Sequence, residues 1–249
     1  MSETSETPPP TMPKVAQLAS RLGTFAPACA IFGLLLVHVG FIPPLGAFMF
    51  FQIALLCGLL ALGFGIATVI VTRKDPEGPG RSAGWLGMAA GALMLTITVA
   101  GMGDGPGGHP INDITTDLDD PPVFAEPSEV TDFSGRDMSY PPDFVEIVRS
   151  LYADLRPVQD SRAPQDAYAH AISTAEQLGW EIVHRDPQAG TINARETSIV
   201  FKFVDDIVVR IRPDGSGSVI DLRSKSRVGK SDLGANAERI RGFVTAYGA

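Results

Sequence analysis

Apolar residues follow two different patterns along this chain. No charged residue occurs between Arg21 and Arg73, and a second uncharged stretch covers residues 82–103. A membrane-spanning helix needs about 20 mainly apolar residues. The first stretch, which is 51 residues long, therefore predicts two spans, and the second predicts one.

Turn residues mark where these spans end, and small residues predict a packing surface on one of them. Pro43-Pro44 ends the first span, and a short polar loop separates the second from the third. Gly84, Gly87 and Gly91 recur at spacings of three and four, which predicts a face of small residues for helix–helix packing. The predicted spans cover approximately residues 24–42, 47–71 and 83–102.

The C-terminal half shows helical and alternating patterns in turn. Apolar residues at helical spacing predict a helix from about Pro164, with Ser161 as a candidate cap and Gly179 as its stop. Alternation then predicts about four antiparallel strands, and a helix with apolar positions including Ile240 ends the chain. The predicted class is α+β, with both helices on one face of a small antiparallel sheet. The predicted core joins Trp180, Phe201, Phe203, Leu222 and Ile240.

These patterns divide the chain into four parts. The first 13 residues contain neither lysine nor arginine and are rich in serine, threonine, proline and glutamate, which is typical of a disordered tail. The segment after the third span is dense in prolines and acids, which predicts an extended strap. The predicted parts are a disordered cytoplasmic tail (1–21), a three-helix transmembrane region (22–103), an extended acidic strap (104–160) and an α+β soluble domain (161–249).

Basic residues near the spans predict the orientation. Lys14 and Arg21 precede the first span, and Arg73, Lys74 and Arg81 lie in the loop between the second and third. Because cytoplasmic loops carry an excess of lysine and arginine, we expect a cytoplasmic N-terminus. The predicted location is a bacterial inner membrane, crossed several times, with a periplasmic C-terminal domain. Spans free of acidic and basic residues, apart from His38, favour an anchor over a transporter.

Charge and cysteine content exclude several function classes for the soluble half. Residues 104–249 contain 15 lysines and arginines and 24 aspartates and glutamates, so nucleic-acid binding is not expected. Both cysteines, Cys29 and Cys57, lie in predicted spans, and the histidines are scattered. We therefore predict no metal and no cofactor. Calcium binding by four acids of the strap is an alternative, although this segment lacks the glycine and the distal glutamate of a helix–loop–helix site. The four acids are Asp113, Asp117, Asp119 and Asp120.

A basic stripe near the C-terminus is the candidate binding site. Strand alternation places Arg223, Lys225 and Arg227 on one side over roughly 13 Å. Gly229 then breaks the strand before a helix that Ser231 or Asp232 would cap, and free N–H groups at a helix start attract anions. The stripe predicts an exposed anion site; alternatively, its charges pair with neighbouring strands. The candidate residues are Arg210, Arg223, Lys225, Arg227, Lys230 and Ser231.

A catalytic alternative rests on Asp205 and Asp206. Two carboxylates could perform acid–base hydrolysis while arginines hold an anionic substrate. Adjacent strand residues point to opposite faces, however, and Gly229-Lys230-Ser231 lacks the first glycine of a phosphate-binding loop. A binding or scaffold module is therefore favoured over an enzyme. Its expected partners are membrane lipid and either a cell-envelope protein or an anionic lipid headgroup.

Three motifs carry a resemblance to a known family. Ile111-Asn-Asp-Ile-Thr-Thr-Asp-Leu-Asp-Asp-Pro-Pro-Val-Phe124, Phe203-Val-Asp-Asp-Ile-Val-Val-Arg210 and residues 223–236 resemble domain-of-unknown-function family 1499. This resemblance covers about residues 109–247 and implies a bacterial or plastid domain, often behind a membrane segment, with no agreed activity. Leu178-Gly-Trp-Glu-Ile, with the turn at residues 186–192, is also similar to the start of helix-grip domains of the BamC type. That likeness implies a binding role by analogy of fold alone.

Overall fold

A computed structural model of the protein describes residues 11–74, 77, 79–101 and 109–248. They form two compact units, one of long apolar helices and one with α+β architecture. The predictions for residues 1–10 and for the glycine- and proline-rich exit at 104–108 lie outside the described residues.

The helical unit contains α1 (Lys14–His38), α2 (Pro44–Val71) and α3 (Arg81–Ala100). Each is long and apolar enough to cross a membrane, as predicted. The prediction of disorder for residues 14–21 is wrong, because α1 begins at Lys14. Ala16 and Ala19 are fully buried in the bundle, so this first part of α1 has a packing face of its own.

Small residues form the contact between these helices. Gly84, Gly87 and Gly91 are all buried on α3, which confirms the predicted small face. A Cβ atom at Gly87 would lie 2.7 Å from the carbonyl oxygen of Ala61, and one at Gly65 would lie 2.6 Å from that of Gly84. The helix backbones approach too closely at these positions for any side chain larger than hydrogen.

The second unit is built on one six-stranded antiparallel sheet. Along the sheet the order is β1-β6-β5-β4-β3, and β2 pairs with a second part of β6. The strands are β1 (Asp113–Thr115), β2 (Val158–Asp160), β3 (Glu181–Asp186), β4 (Thr191–Thr197), β5 (Val204–Asp214) and β6 (Gly217–Ser226). The helices are α4 (Phe144–Leu151), α5 (Pro164–Gln177) and α6 (Ala235–Tyr247).

The main core lies between one face of this sheet and helices α5 and α6. Trp180, Leu222 and Ile240 belong to it, and the Trp180 ring stacks on Phe243 with centroids 5.3 Å apart. The predicted α+β class with two helices on one sheet face is confirmed. Placing Phe201 and Phe203 in the same core was wrong, because β5 begins only at Val204 and both residues precede it.

The strap has more regular structure than an extended segment. It contributes β1, β2, a single 3₁₀ turn at Thr131–Phe133 and the helix α4. The prediction of an extended segment is wrong for the 3₁₀ turn and for α4, and it did not specify that two parts pair as strands. Helix α4 forms because its apolar residues recur at helical spacing, and Val148 is buried against the main core.

Local signals at the ends of α5 gave mixed results. Gly179 follows the last turn with a φ of 78°, which confirms the predicted stop. Ser161 does not cap the helix: α5 begins at Pro164 directly after Ala163, and no side chain accepts a hydrogen bond from its first amides. Proline is favoured at this first position because it has no N–H group to satisfy.

Candidate functional site

The sheet face opposite α5 and α6 carries the basic stripe, and the strap covers it. The strap packs on the sheet through a small apolar cluster of Phe124, Val130, Phe133 and Val208. Alternation had correctly placed Arg223 and Lys225 on this face. The expectation that the face is exposed is wrong, because the acidic strap folds over it.

Arg223 is the centre of this covered face. Only 1% of the residue is exposed. Its Nε and Nη2 atoms donate to the two carboxylate oxygens of Asp113 at 2.9 and 2.8 Å. Its guanidinium carbon lies 4.8 Å from the centre of the Phe124 ring and 5.2 Å from that of Tyr140. Burial raises the pKa of the Tyr140 hydroxyl, which therefore stays neutral beside this ion pair.

A second group of charges surrounds Asp221. This aspartate is fully buried on β6 and accepts hydrogen bonds at one oxygen from Arg210 at 3.0 Å and from Arg212 at 2.8 Å. Asp117 of the strap accepts from the same two arginines at 3.2 and 2.9 Å. Asp120 pairs with Arg210 at 2.9 Å. The strap thus supplies two of the three carboxylates that neutralise these arginines.

A third group surrounds Asp206, which is also fully buried. Arg136 of the strap lies 2.6 Å from one of its carboxylate oxygens, and Arg227 donates to the other at 2.7 Å. Asp132 of the strap lies 3.3 Å from Arg227 and 2.7 Å from Arg195. Every cation of the stripe on β5 and β6, including Lys225 at 3.0 Å from Asp113, therefore has a carboxylate partner.

The remaining two candidate residues lie beyond the sheet. Lys230 is exposed and Ser231 is partly exposed in the loop between β6 and α6. Helix α6 starts at Ala235 with Gly234 at its N-cap position, whereas Ser231 or Asp232 was the predicted cap. The side chain of Asp232 accepts the N–H groups of Gly234 and Asn236 at 2.9 and 3.0 Å. A helix-terminal anion site at this loop is therefore already occupied by the protein's own carboxylate.

Asp205 and Asp206 do not form a carboxylate pair. They face opposite sides of β5, since Asp206 lies under the strap and Asp205 contacts Arg239 of α6 at 2.7 Å. Arg239 also donates to Asn236 at 2.8 Å. Burial raises the pKa of the Asp205 carboxyl, although Arg239 acts in the opposite direction. Both aspartates belong to separate, hydrogen-bonded structural clusters.

Two adjoining surface cavities lie beside the strap. Their volumes are 290 and 380 Å³. One lies against α6, the other lies against α4 and residues 117–119 of the strap, and both are lined by Thr116, Leu155 and Arg156. We name the two together the Arg156 groove. Sequence reasoning missed this groove, because its residues come from three separate segments.

Arg156 differs from the other arginines that the structure describes in this domain. Its Nε donates to the carbonyl oxygen of Ala153 at 3.1 Å, and no described carboxylate lies within 4.0 Å of it. The neighbouring Arg241 is bound by Asp154 at 2.7 Å, which lowers the pKa of that aspartate. Arg149 pairs with Glu146. Arg156 is therefore the groove's uncompensated positive charge.

The strap acids, for which calcium binding was the predicted alternative, have other contacts in the structure. Asp113, Asp117 and Asp120 bind arginines of the sheet, and Asp119 is 96% exposed in its side chain. Within the described part of the chain, no group of three or more histidine, cysteine, aspartate or glutamate side chains is arranged to hold a metal ion.

The fold and these charge clusters define a class of protein. It has an α+β domain with a strap over one sheet face, and this domain follows, along the chain, three helices that could cross a membrane. The sequence comparison then identifies the family. Residues 113–246 match the family described as "Protein of unknown function (DUF1499)", and the chain belongs to this family. This confirms the resemblance drawn from the three motifs. A search of curated proteins found no match.

Proposed function

We propose that this protein is a membrane-anchored binding module of the bacterial cell envelope. Its three helices cross the inner membrane, its N-terminus is cytoplasmic, and its C-terminal domain is periplasmic. This domain binds an acidic segment of a partner protein through the Arg156 groove. The role is one of recognition rather than catalysis.

The observation that carries the binding role is the uncompensated charge of Arg156 in a concave surface. Protein arginines bind carboxylates through charge-assisted hydrogen bonds, often with two parallel contacts. The other described arginines of the domain already have carboxylate partners. Arg156 can therefore bind an incoming acidic side chain without first breaking an ion pair within the protein.

The groove also suits a peptide better than a small metabolite. It is open along α6 and contains apolar contacts from Leu155, Ile240 and Val244 beside its charges. Asp117, Asp119 and Asp154 line it as well, so an anion must dock close to Arg156 to avoid repulsion. A short segment with one acidic residue flanked by apolar residues satisfies both conditions.

A peptide-binding experiment tests this role. The full chain in nanodiscs would be titrated with a fluorescent peptide that alternates glutamate and leucine, and with the same peptide carrying glutamine in place of glutamate. We expect Arg156→Ala to weaken the affinity for the glutamate peptide by about 10–100-fold, because a hydrogen bond to a charged group contributes about 1.5–3 kcal/mol. Arg185→Ala is the matched control, since Arg185 is half exposed and pairs with Glu176 elsewhere.

Equal binding of the glutamate and glutamine peptides would refute charge recognition in the groove. Unchanged binding by the Arg156→Ala protein, or an equal loss in the Arg185→Ala protein, would do the same.

Reporter fusions test the orientation, which is supported by the five basic residues that flank the predicted spans on one side. Alkaline phosphatase fused after Gly108 should be active, and the same enzyme fused at Pro79 should be inactive. The reverse pattern would place the C-terminal domain in the cytoplasm and exclude envelope partners.

A further inference from the structure

A second arginine borders the Arg156 groove. Arg149 of α4 lines the larger cavity, whose volume is 380 Å³, together with Arg156. Arg156 also lines the smaller cavity, and Arg149 does not. The two arginines therefore border different parts of the groove. The buried side chains of Tyr152 and Leu155 add apolar surface to the cavity that both arginines share.

The two carboxylates near Arg149 are both exposed to solvent. Glu146 pairs with it from the preceding turn of the same helix, and the Glu146 side chain is 79% exposed. Asp119 of the strap lies 3.8 Å from it, which is longer than a hydrogen bond, and is 96% exposed. Ion pairs between exposed side chains contribute little to stability. Arg149 is itself half exposed, so it can exchange these partners for a ligand without a large loss of stability.

The third arginine of the groove, Arg241, is held more firmly. Its Nε and Nη2 atoms donate to the two carboxylate oxygens of Asp154 at 2.7 and 3.1 Å, which is the strong two-contact geometry of arginine and carboxylate. Its guanidinium carbon also lies 5.8 Å from the centre of the Tyr152 ring. Of the three described arginines that line the groove, Arg149 is therefore the one that can join Arg156 in binding a ligand.

The size of the larger cavity indicates how far apart two ligand groups must be to reach both arginines. For a cavity about as wide as it is deep, this volume corresponds to a width of ~7 Å, close to the ~6.6 Å between side chains i and i+2 of an extended peptide. Such side chains also point to the same side of the peptide. Two acidic residues separated by one residue would therefore face the groove together.

We infer that the groove is a two-arginine site for a peptide segment with acidic residues at positions i and i+2. This inference rests on the proposed peptide binding by Arg156 and narrows the ligand of that site. One carboxylate of the segment binds Arg156, and the other binds Arg149 in place of Asp119. Asp119 is thus an internal competitor, whose carboxylate lies near Arg149 in the free protein and turns into solvent when the segment binds.

Two fluorescent peptides of equal composition test the spacing. Both contain two glutamates among leucines and serines, separated by one residue in the first peptide and by four in the second. The full chain in nanodiscs should bind the first peptide about two- to fivefold more tightly, which is the contribution of one exposed ion pair. Arg149→Ala should abolish this difference. Arg185→Ala, the matched control, should keep it, because Arg185 is 49% exposed and pairs with Glu176 of another helix.

Asp119→Ala tests the same contact without altering Arg149. Removing the competing carboxylate should strengthen binding of the first peptide by about twofold, and this gain should be absent when Arg149→Ala is also present. Asp214→Ala is the matched control, because it removes an exposed carboxylate from the β5–β6 turn, which does not line the groove. We expect it to leave the affinity unchanged.

Equal affinity of the parent for the two peptides, or a difference that survives Arg149→Ala, would overturn the inference. A gain from Asp119→Ala that persists without Arg149 would also overturn it. Each of these results leaves the proposed function intact as long as Arg156→Ala weakens the affinity for both peptides. If Arg156→Ala weakens neither, the proposed function fails and this inference fails with it.

Discussion

Removing the carboxylate of Asp113 is the sharpest test of the covered sheet face. Asp113 is fully buried and accepts hydrogen bonds from Arg223 at 2.9 and 2.8 Å and from Lys225 at 3.0 Å. In an Asp113→Ala protein the guanidinium of Arg223, which is 1% exposed, keeps its charge and loses its carboxylate. The carbonyl oxygens of Pro122 and Met138, at 3.2 and 2.9 Å, are the acceptors that remain.

The size of the effect follows from the desolvation of that charge. Removing one partner of a buried ion pair costs about 3–5 kcal/mol, because the other ion stays buried without compensation. For a domain of this size, each kcal/mol lowers the melting temperature by about 3 °C, so the expected decrease is about 9–15 °C. The decrease in melting temperature should be smaller in the double variant Asp113→Leu/Arg223→Met, since replacing both charges of a buried pair with apolar side chains often changes stability little.

Thermal unfolding of the full chain in detergent is the assay. Trp180 lies in the main core, and a Trp85→Phe background makes its fluorescence specific for the domain. Asp119→Ala is the matched control from the same strap, because the Asp119 side chain is 96% exposed and its contact with Arg149 is 3.8 Å long. It should melt like the parent. If Asp113→Ala also melts like the parent, the ion pair does not hold the strap and the reasoning fails.

Four further substitutions test other parts of the fold. Trp180→Ala and Ile240→Ala should each destabilise the domain by about 2–5 kcal/mol; chemical denaturation curves that match the parent would show that the core is misassigned. Asp205 has a raised pKa through burial, so its contribution to stability should fall as the pH rises through that pKa. Asp205→Asn should flatten this slope, and an unchanged slope would contradict the assignment. Gly87→Leu should separate the membrane helices, and an unchanged level of correctly folded protein in membranes would refute the close packing.

Local patterns were sufficient for α1–α3, α5 and α6 and for β3–β6, but not for α4, β1 and β2 of the strap. The helical spacing before Gly179, the turn at residues 186–190 and the glycine-rich hairpin after Pro213 all predicted elements that the structure contains. Each of these signals depends on residues close together in the chain. The three membrane helices were predicted for the same reason, since an uncharged stretch is a local property.

The pairing of the strap with the stripe had no such local signal. The sequence indicated an acidic segment and a basic sheet face separately, and it left pairing of the basic stripe open only with neighbouring strands, not with the acidic segment. Asp113 and Arg223 are 110 residues apart, and nothing in their local patterns links one to the other. The Arg156 groove was missed for a related reason, because an unpaired arginine is recognised only when the partners of the other arginines are known.

The buried ion pair has a structural consequence beyond stability, because β1 contains only three residues. Its register against β6 places Asp113 opposite Lys225 and Ile114 opposite Ser224. Ile114 then points into the main core and Asp113 toward Arg223, both with no exposed surface. A slip of one residue would exchange the two faces and place a carboxylate in the apolar core beside a buried arginine without its partner. So short a strand has few backbone hydrogen bonds to fix its position. The charge pair and the isoleucine therefore set the register together, and β1 in turn determines where the rest of the strap crosses the sheet.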